Sequence, residues 1–164
     1  MIRTLTLAAA LCFAPAALAQ DGEMGEVERI ARDYMAAYSA VDFETMSTFM
    51  ADDIVFSDPT ATGTDNPDGI LETGRDALLA MLESFAAEYN PIGLNFTWDT
   101  VFESNGRVVF MGHVNATYPT DQPGQVFRWR AAQTAVVTVR GGRVVRHQDF
   151  ADYAHAEQGL VPAE

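Results

Sequence analysis

Apolar residues recur along this chain with two periods, and the change from one to the other divides it. Between Glu26 and Val41, Val27, Ile30, Ala31, Tyr34, Tyr38 and Val41 fall at helical spacing and define one apolar face. Asp42 is placed to cap a second, shorter helix that carries Phe43, Met46, Phe49 and Met50. "ADDIVFSDP" then alternates Ile54, Phe56 and Asp58, which predicts a short strand stopped by Pro59. The next stretch, "TATGTDNPDGI", is polar and rich in Gly and Pro, and reads as a surface loop. "GRDALLAMLESFAAEY" returns to the helical period, with Ala77, Leu78, Met81, Leu82 and Phe85 directed inward.

From Leu94 onward the pattern is that of strands. "LNFTWDTVFE", "GRVVFMGHVNATY", "QVFRWRAAQTAVVTVR" and "RVVRHQDF" are separated by short Gly-, Asn- and Pro-containing links. Asn105-Gly106 and Gly141-Gly142 suit hairpin turns that need positive φ. Three helices and one early strand, followed by a four-strand meander, imply an α+β domain. Its expected form is a strongly curved antiparallel sheet wrapped around the helices. No repeat, low-complexity tract or linker divides it.

The N-terminus needs a separate reading. "MIRTLTLAAALCFAPAALAQ" combines an early Arg3, an apolar run and a small-residue ending at Ala17-Leu18-Ala19, the pattern of a cleavable signal peptide over residues 1–19. The expected organisation is this signal, a short extension over 20–25, a domain over 26–155 and a tail over 156–164. The expected location is periplasmic or secreted, with no membrane insertion, because the apolar run is shorter than the roughly 20 residues of a span. Cys12, the single cysteine, leaves with the signal, so packing rather than a disulfide must hold the fold.

Charge narrows the partners. All 10 basic residues are arginine, against 23 acidic ones, for a formal net charge of −13. Such a surface repels nucleic acid and anionic membranes. His113, His147 and His155 show no ligand spacing, and no phosphate-binding loop or nucleophile elbow is present, so neither a metal nor a cofactor is expected.

The chemistry gathers in "RGGRVVRHQDFADY", where a strand that opens on Val144 and Val145 ends in His147, Asp149 and Asp152. The run Gly142-Arg143-Val144-Val145-Arg146-His147-Gln148-Asp149, with the element order before it, resembles the SnoaL-like family of the nuclear transport factor 2 superfamily. Gly142, Val144, His147 and Asp149 agree with the family pattern, whereas Arg146 and Gln148 stand where Glu and Trp are usual. The resemblance spans about Glu26 to Tyr153. It implies a cone-shaped α+β fold, commonly dimerised through the outer sheet face. It also implies Asp149 as the acid/base group and Gln133 on the preceding strand as a substrate-holding amide. A histidine two residues after that Gln, usual among the cyclases, is replaced by Ala135.

The residues themselves support a pocket. His147 shares strand parity with Asp149 and can line the same face. Asp58 continues the inward parity of Ile54 and Phe56. Tyr34 and Tyr38, one helical turn apart, can set hydroxyls at a cavity wall. A carboxylate at the mouth of an apolar cone is partly desolvated, which suits a general base. Apolar residues on both faces of 125–139 call for a second cover, which a homodimer supplies. The expected function is binding of a small apolar carbonyl compound, with acid/base catalysis of the cyclase, isomerase, dehydratase or hydrolase type. The alternative is a non-catalytic binder of small hydrophobic ligands, or a dimeric interaction module of the cell envelope.

Overall fold

A computed structural model describes residues 24–63 and 67–163. The expected signal peptide lies outside the described residues. Helix α1, Glu26–Ser39, buries Ile30, Ala31, Tyr34 and Tyr38 of the face that the sequence marks, half-buries Val27, and also buries Met35 and Ala37 beside that face. Helix α2 is shorter than expected, Phe43–Ser47, capped by the Asp42 carboxylate accepting from the Thr45 amide at 3.0 Å. Ser47 and Thr48 hydroxyls turn back and donate to the Glu44 and Thr45 carbonyls, both at 2.7 Å, and the helix stops there. Met50 therefore opens strand β1, Met50–Asp58, instead of extending the helix.

Strand β2, Ile70–Thr73, begins at the last residue of the stretch read as loop, continues through residues given no element in the sequence, and pairs antiparallel with β1. Helix α3, Arg75–Tyr89, buries Leu78 and Leu82 and half-buries Met81 and Phe85, whereas Ala77 stays exposed. The meander follows as β3 (Thr97–Ser104), β4 (Arg107–Pro119), β5 (Gln125–Arg140) and β6 (Arg143–Ala151). A 3-10 turn at Tyr153–His155 leads to a last strand, β7, Glu157–Pro162, in the segment read as a tail.

The sheet order is β2-β1-β6-β5-β4-β3, with β7 on β5. Strand β5 is long enough to serve two partners, pairing with β7 over its first half and β6 over its second. One pair departs from the antiparallel expectation: β1 runs parallel to β6, setting Phe56 beside His147 and Ser57 beside Gln148. A bulge opposite Thr138–Val139 lets Val144 and His147 face the same interior although their numbers differ in parity. From His147 to Ala151 the alternation then holds, so His147, Asp149 and Ala151 all point inward. The helices fill the concave side, where Tyr34, Met46, Ile54, Leu78, Val108, Phe110 and Val137 are fully buried. Each large aliphatic side chain buried there contributes about 1.5–3 kcal/mol. The result is the cone-shaped α+β architecture that the sequence implies.

Candidate active site

The cone is not filled to its open end. A cavity of about 660 Å³ remains between α3 and the inner faces of β1, β4, β5 and β6. Its walls are mostly aromatic and aliphatic, with Phe56, Phe85, Phe96, Phe127 and Trp129 among them. Glu88, Tyr89, Pro119 and Tyr153 line it and are also exposed, so they mark its rim.

Strand β6 brings Asp149 into this wall, 4 % exposed. Its Oδ1 lies 3.0 Å from Nε2 of His147, whose Nδ1 lies 3.0 Å from the Tyr34 hydroxyl. A ring proton on Nε2 donates to the carboxylate and leaves Nδ1 to accept from the Tyr34 O–H, so both ring nitrogens and the Tyr34 hydroxyl have partners. The imidazole is wholly buried, and the rings of Tyr34, Tyr38 and Phe56 meet it edge-on at centroid distances of 5.1–5.4 Å. Burial, reinforced by the Asp149 charge, holds the Tyr34 hydroxyl well above its ordinary pKa, so it stays a donor. The second Asp149 oxygen makes no hydrogen bond among the described residues and is not sealed off, which leaves it open to the cavity.

Gln133, from β5, also lines the cavity, and its amide has no side-chain partner among the described residues. The Tyr38 hydroxyl is in the same position, with its pKa raised mainly by burial and further by Asp149. Asp58 lines the cavity too, but its lone pairs are committed. Oδ1 accepts from the Thr60 amide, the Thr60 hydroxyl and the Ala61 amide, and Oδ2 accepts from the Tyr153 hydroxyl at 3.0 Å. Thr60 in turn accepts from the Ala151 amide at 2.9 Å, which ties the end of β1 to the end of β6. Burial, then the neighbouring Asp58, pushes the Tyr153 pKa far up; its ring is half-exposed while its hydroxyl turns inward.

Asp149, Gln133, Asp58 and Tyr38 thus meet at one cavity, whereas His147 and Tyr34 stand behind the wall and act on Asp149 rather than on a ligand. Sequence reasoning did not single out Tyr153 or the cavity role of Trp129, whose rings pack at 5.4 Å. The inward parity of Trp129 with Ala131 and Gln133 was the available signal for the tryptophan; the 3-10 turn that returns Tyr153 left none. Among the described residues no group of three or more His, Cys, Asp or Glu side chains is arranged to hold a metal, and no helix is long and apolar enough to cross a membrane.

This fold and site define a class of small α+β cone proteins with an acidic group in the wall of an apolar pocket. Residues 31–147 match the SnoaL-like domain, and the chain belongs to that family. No curated protein sequence matches it. A candidate SnoaL-like polyketide cyclase of Shewanella putrefaciens is 24% identical with a TM-score of 0.66, over 80% of this chain and 93% of that one. The Δ5-3-ketosteroid isomerase of a Mycobacterium species is 20% identical with a TM-score of 0.66, over 83% and 100%. A computationally designed binder of 17-OHP is 18% identical with a TM-score of 0.64, again over 83% and 100%. At these identities the likeness concerns the fold.

Proposed function

We propose that the protein is an acid/base catalyst of the isomerase or cyclase type, acting on a small apolar carbonyl compound held in the cone. The observation that carries this reading is Asp149, with one oxygen fixed by the His147–Tyr34 relay and the other open to an apolar cavity. The open oxygen takes a proton from the carbon next to the substrate carbonyl. The C–H electron pair becomes an enolate, whose oxygen accepts hydrogen bonds from the Gln133 amide or the Tyr38 hydroxyl. Asp149 then returns the proton at another carbon, or the enolate attacks a second carbonyl of the same molecule and the Asp149 proton goes to the alkoxide so formed. The apolar walls exclude the water that would quench the enolate. His147 and Tyr34 are positioning residues, which fix the carboxylate and its open lone pairs.

The fold itself also serves pure binding, as the designed 17-OHP binder does. Screening carbonyl compounds by thermal shift and assaying the hits with wild type and Asp149→Asn separates the two. Turnover that falls at least about a hundredfold in the variant, with binding kept, supports catalysis. Binding without turnover in wild type supports a carrier.

The reading extends to the setting of the protein. We place it outside the cytoplasm as a homodimer, with its leader cut before Gln20, on the N-terminal pattern and the apolar outer sheet face. Intact mass of the exported protein checks the cut; recovery with Met1 attached rejects it.

A further inference from the structure

Twenty-three residues line the cavity, and its charged members are Asp58, Glu88 and Asp149. No arginine or histidine is among these described lining residues, and the chain has no lysine. An anionic head group entering the cone therefore finds no counter-ion. The lining offers it neutral donors, the Gln133 amide and the Tyr38 hydroxyl among them, and beside them the open Asp149 oxygen.

A cation meets the opposite setting. The Asp149 oxygen has lone pairs free for an N–H donor, and ten of the lining residues are Phe, Tyr or Trp, whose ring faces attract positive charge. Glu88 at the rim adds a second negative charge on the way in, and the whole chain carries −13. Asp58 is satisfied by four donors and repels anions without competing for cations.

We propose that the cavity selects ligands by charge: it takes apolar molecules whose polar end is neutral or a protonated amine, and rejects the matching carboxylates and phosphate esters. Asp149 is the counter-ion of the amine. This rests on the reading of the cone as a ligand site and adds a specificity that turnover does not report. A hydrophobic amine consequently competes with the carbonyl substrate for the same carboxylate.

The test uses one bicyclic body with three heads: 2-acetylnaphthalene, 1-(2-naphthyl)ethylamine and 2-naphthoate, titrated calorimetrically into the full protein at pH 7. The expected order is amine tighter than ketone, and ketone tighter than naphthoate by at least about tenfold. In Asp149→Asn, with its fold checked by circular dichroism, the amine should lose its advantage and naphthoate should gain. Glu88→Gln, exposed at the rim and independent of the core, should narrow the ketone–naphthoate gap by a smaller factor. Naphthoate binding within about twofold of the ketone in wild type overturns the proposal, as does an amine advantage that survives Asp149→Asn. The failures are distinguishable. The expected order without turnover of any carbonyl compound leaves charge selection standing and removes catalysis. Turnover with indifferent binding of the three heads does the reverse, and binding of none of the three removes the ligand site itself.

Discussion

Asp58 and Asp149 line the same cavity, and their hydrogen bonds give them different work. Four donors saturate Asp58, which makes it the knot that joins the end of β1 to the 3-10 turn. Asp149 keeps one oxygen free because a single donor, His147, holds the other. The tyrosine behind that histidine offers a test of the relay. Tyr34→Phe keeps the ring but leaves His147 Nδ1 a buried acceptor without a partner, so urea denaturation should show a loss of about 1–3 kcal/mol. The same hydroxyl shapes the alkaline limit. Its pKa and that of Tyr38 are raised in the folded chain above the ordinary value of about 10. Their contribution is fully present below that value. As pH rises past it, the unfolded chain releases protons that the folded chain retains, and stability falls by about 1.4 kcal/mol per pH unit for each group. Tyr34→Phe should therefore flatten the limb above about pH 10 by one group's share, measured as urea midpoints across pH. A slope unchanged by the substitution would show that Tyr34 ionises freely in the fold.

Among the elements, β3 and β4 lie close together at Gly112, which is paired with Trp98. A Cβ at this position would fall within contact of the Thr97 carbonyl and 2.9 Å from the Trp98 Cα, both backbone atoms that no rotamer change relieves. Gly112→Ala should accordingly cost about 1–3 kcal/mol or peel β3 away, seen as a lower melting temperature and faster amide exchange along Thr97–Ser104. Wild-type stability in this variant would place the two strands farther apart. Elements governed by local pattern were legible in the sequence. The apolar face of α1, the α3 period and the inward parity of Asp58, His147 and Asp149 all follow from spacing along one segment. Strands β2 and β7 were not legible, because "ILET" and "EQGLVP" have little pattern of their own and become strands by pairing with β1 and β5. The parallel β1–β6 pair was hidden for the same reason. So was the site's finer structure: no spacing announces that Tyr34 meets His147, or that Tyr153 turns back onto Asp58. Parity places a side chain on a face; which atoms it touches is decided by what folds over it.

For the molecule as a whole, the convex face of the sheet is the surface that remains to be explained. Phe102, Met111 and Phe150 stand 47%, 46% and 37% exposed, with the half-buried Val109 and Val136 also on that side. Met111, Ala132, Thr134 and Phe150 border a shallow groove there. On a chain of charge −13 this apolar face is out of keeping with its surroundings, and the proposed homodimer would cover it. Light scattering at tens of micromolar should return twice the chain mass, and Met111→Arg should return one chain mass with ligand binding in the cone intact. A monomeric wild type at that concentration would dismiss the dimer.

The parallel pairing of β1 with β6 also governs when the protein can come into being. Tyr34 and His147 are 113 positions apart and Tyr153 and Asp58 are 95 apart, yet both pairs must close before the carboxylates are held. A chain still emerging from the ribosome has β1 but not the strand that seats it. Such distant closures are slow, because the entropy of drawing the ends together is spent before any contact rewards it. Assembly must therefore wait for nearly the last residue, so that a molecule cut short before β6 lacks both the strand that seats β1 and the carboxylate of Asp149.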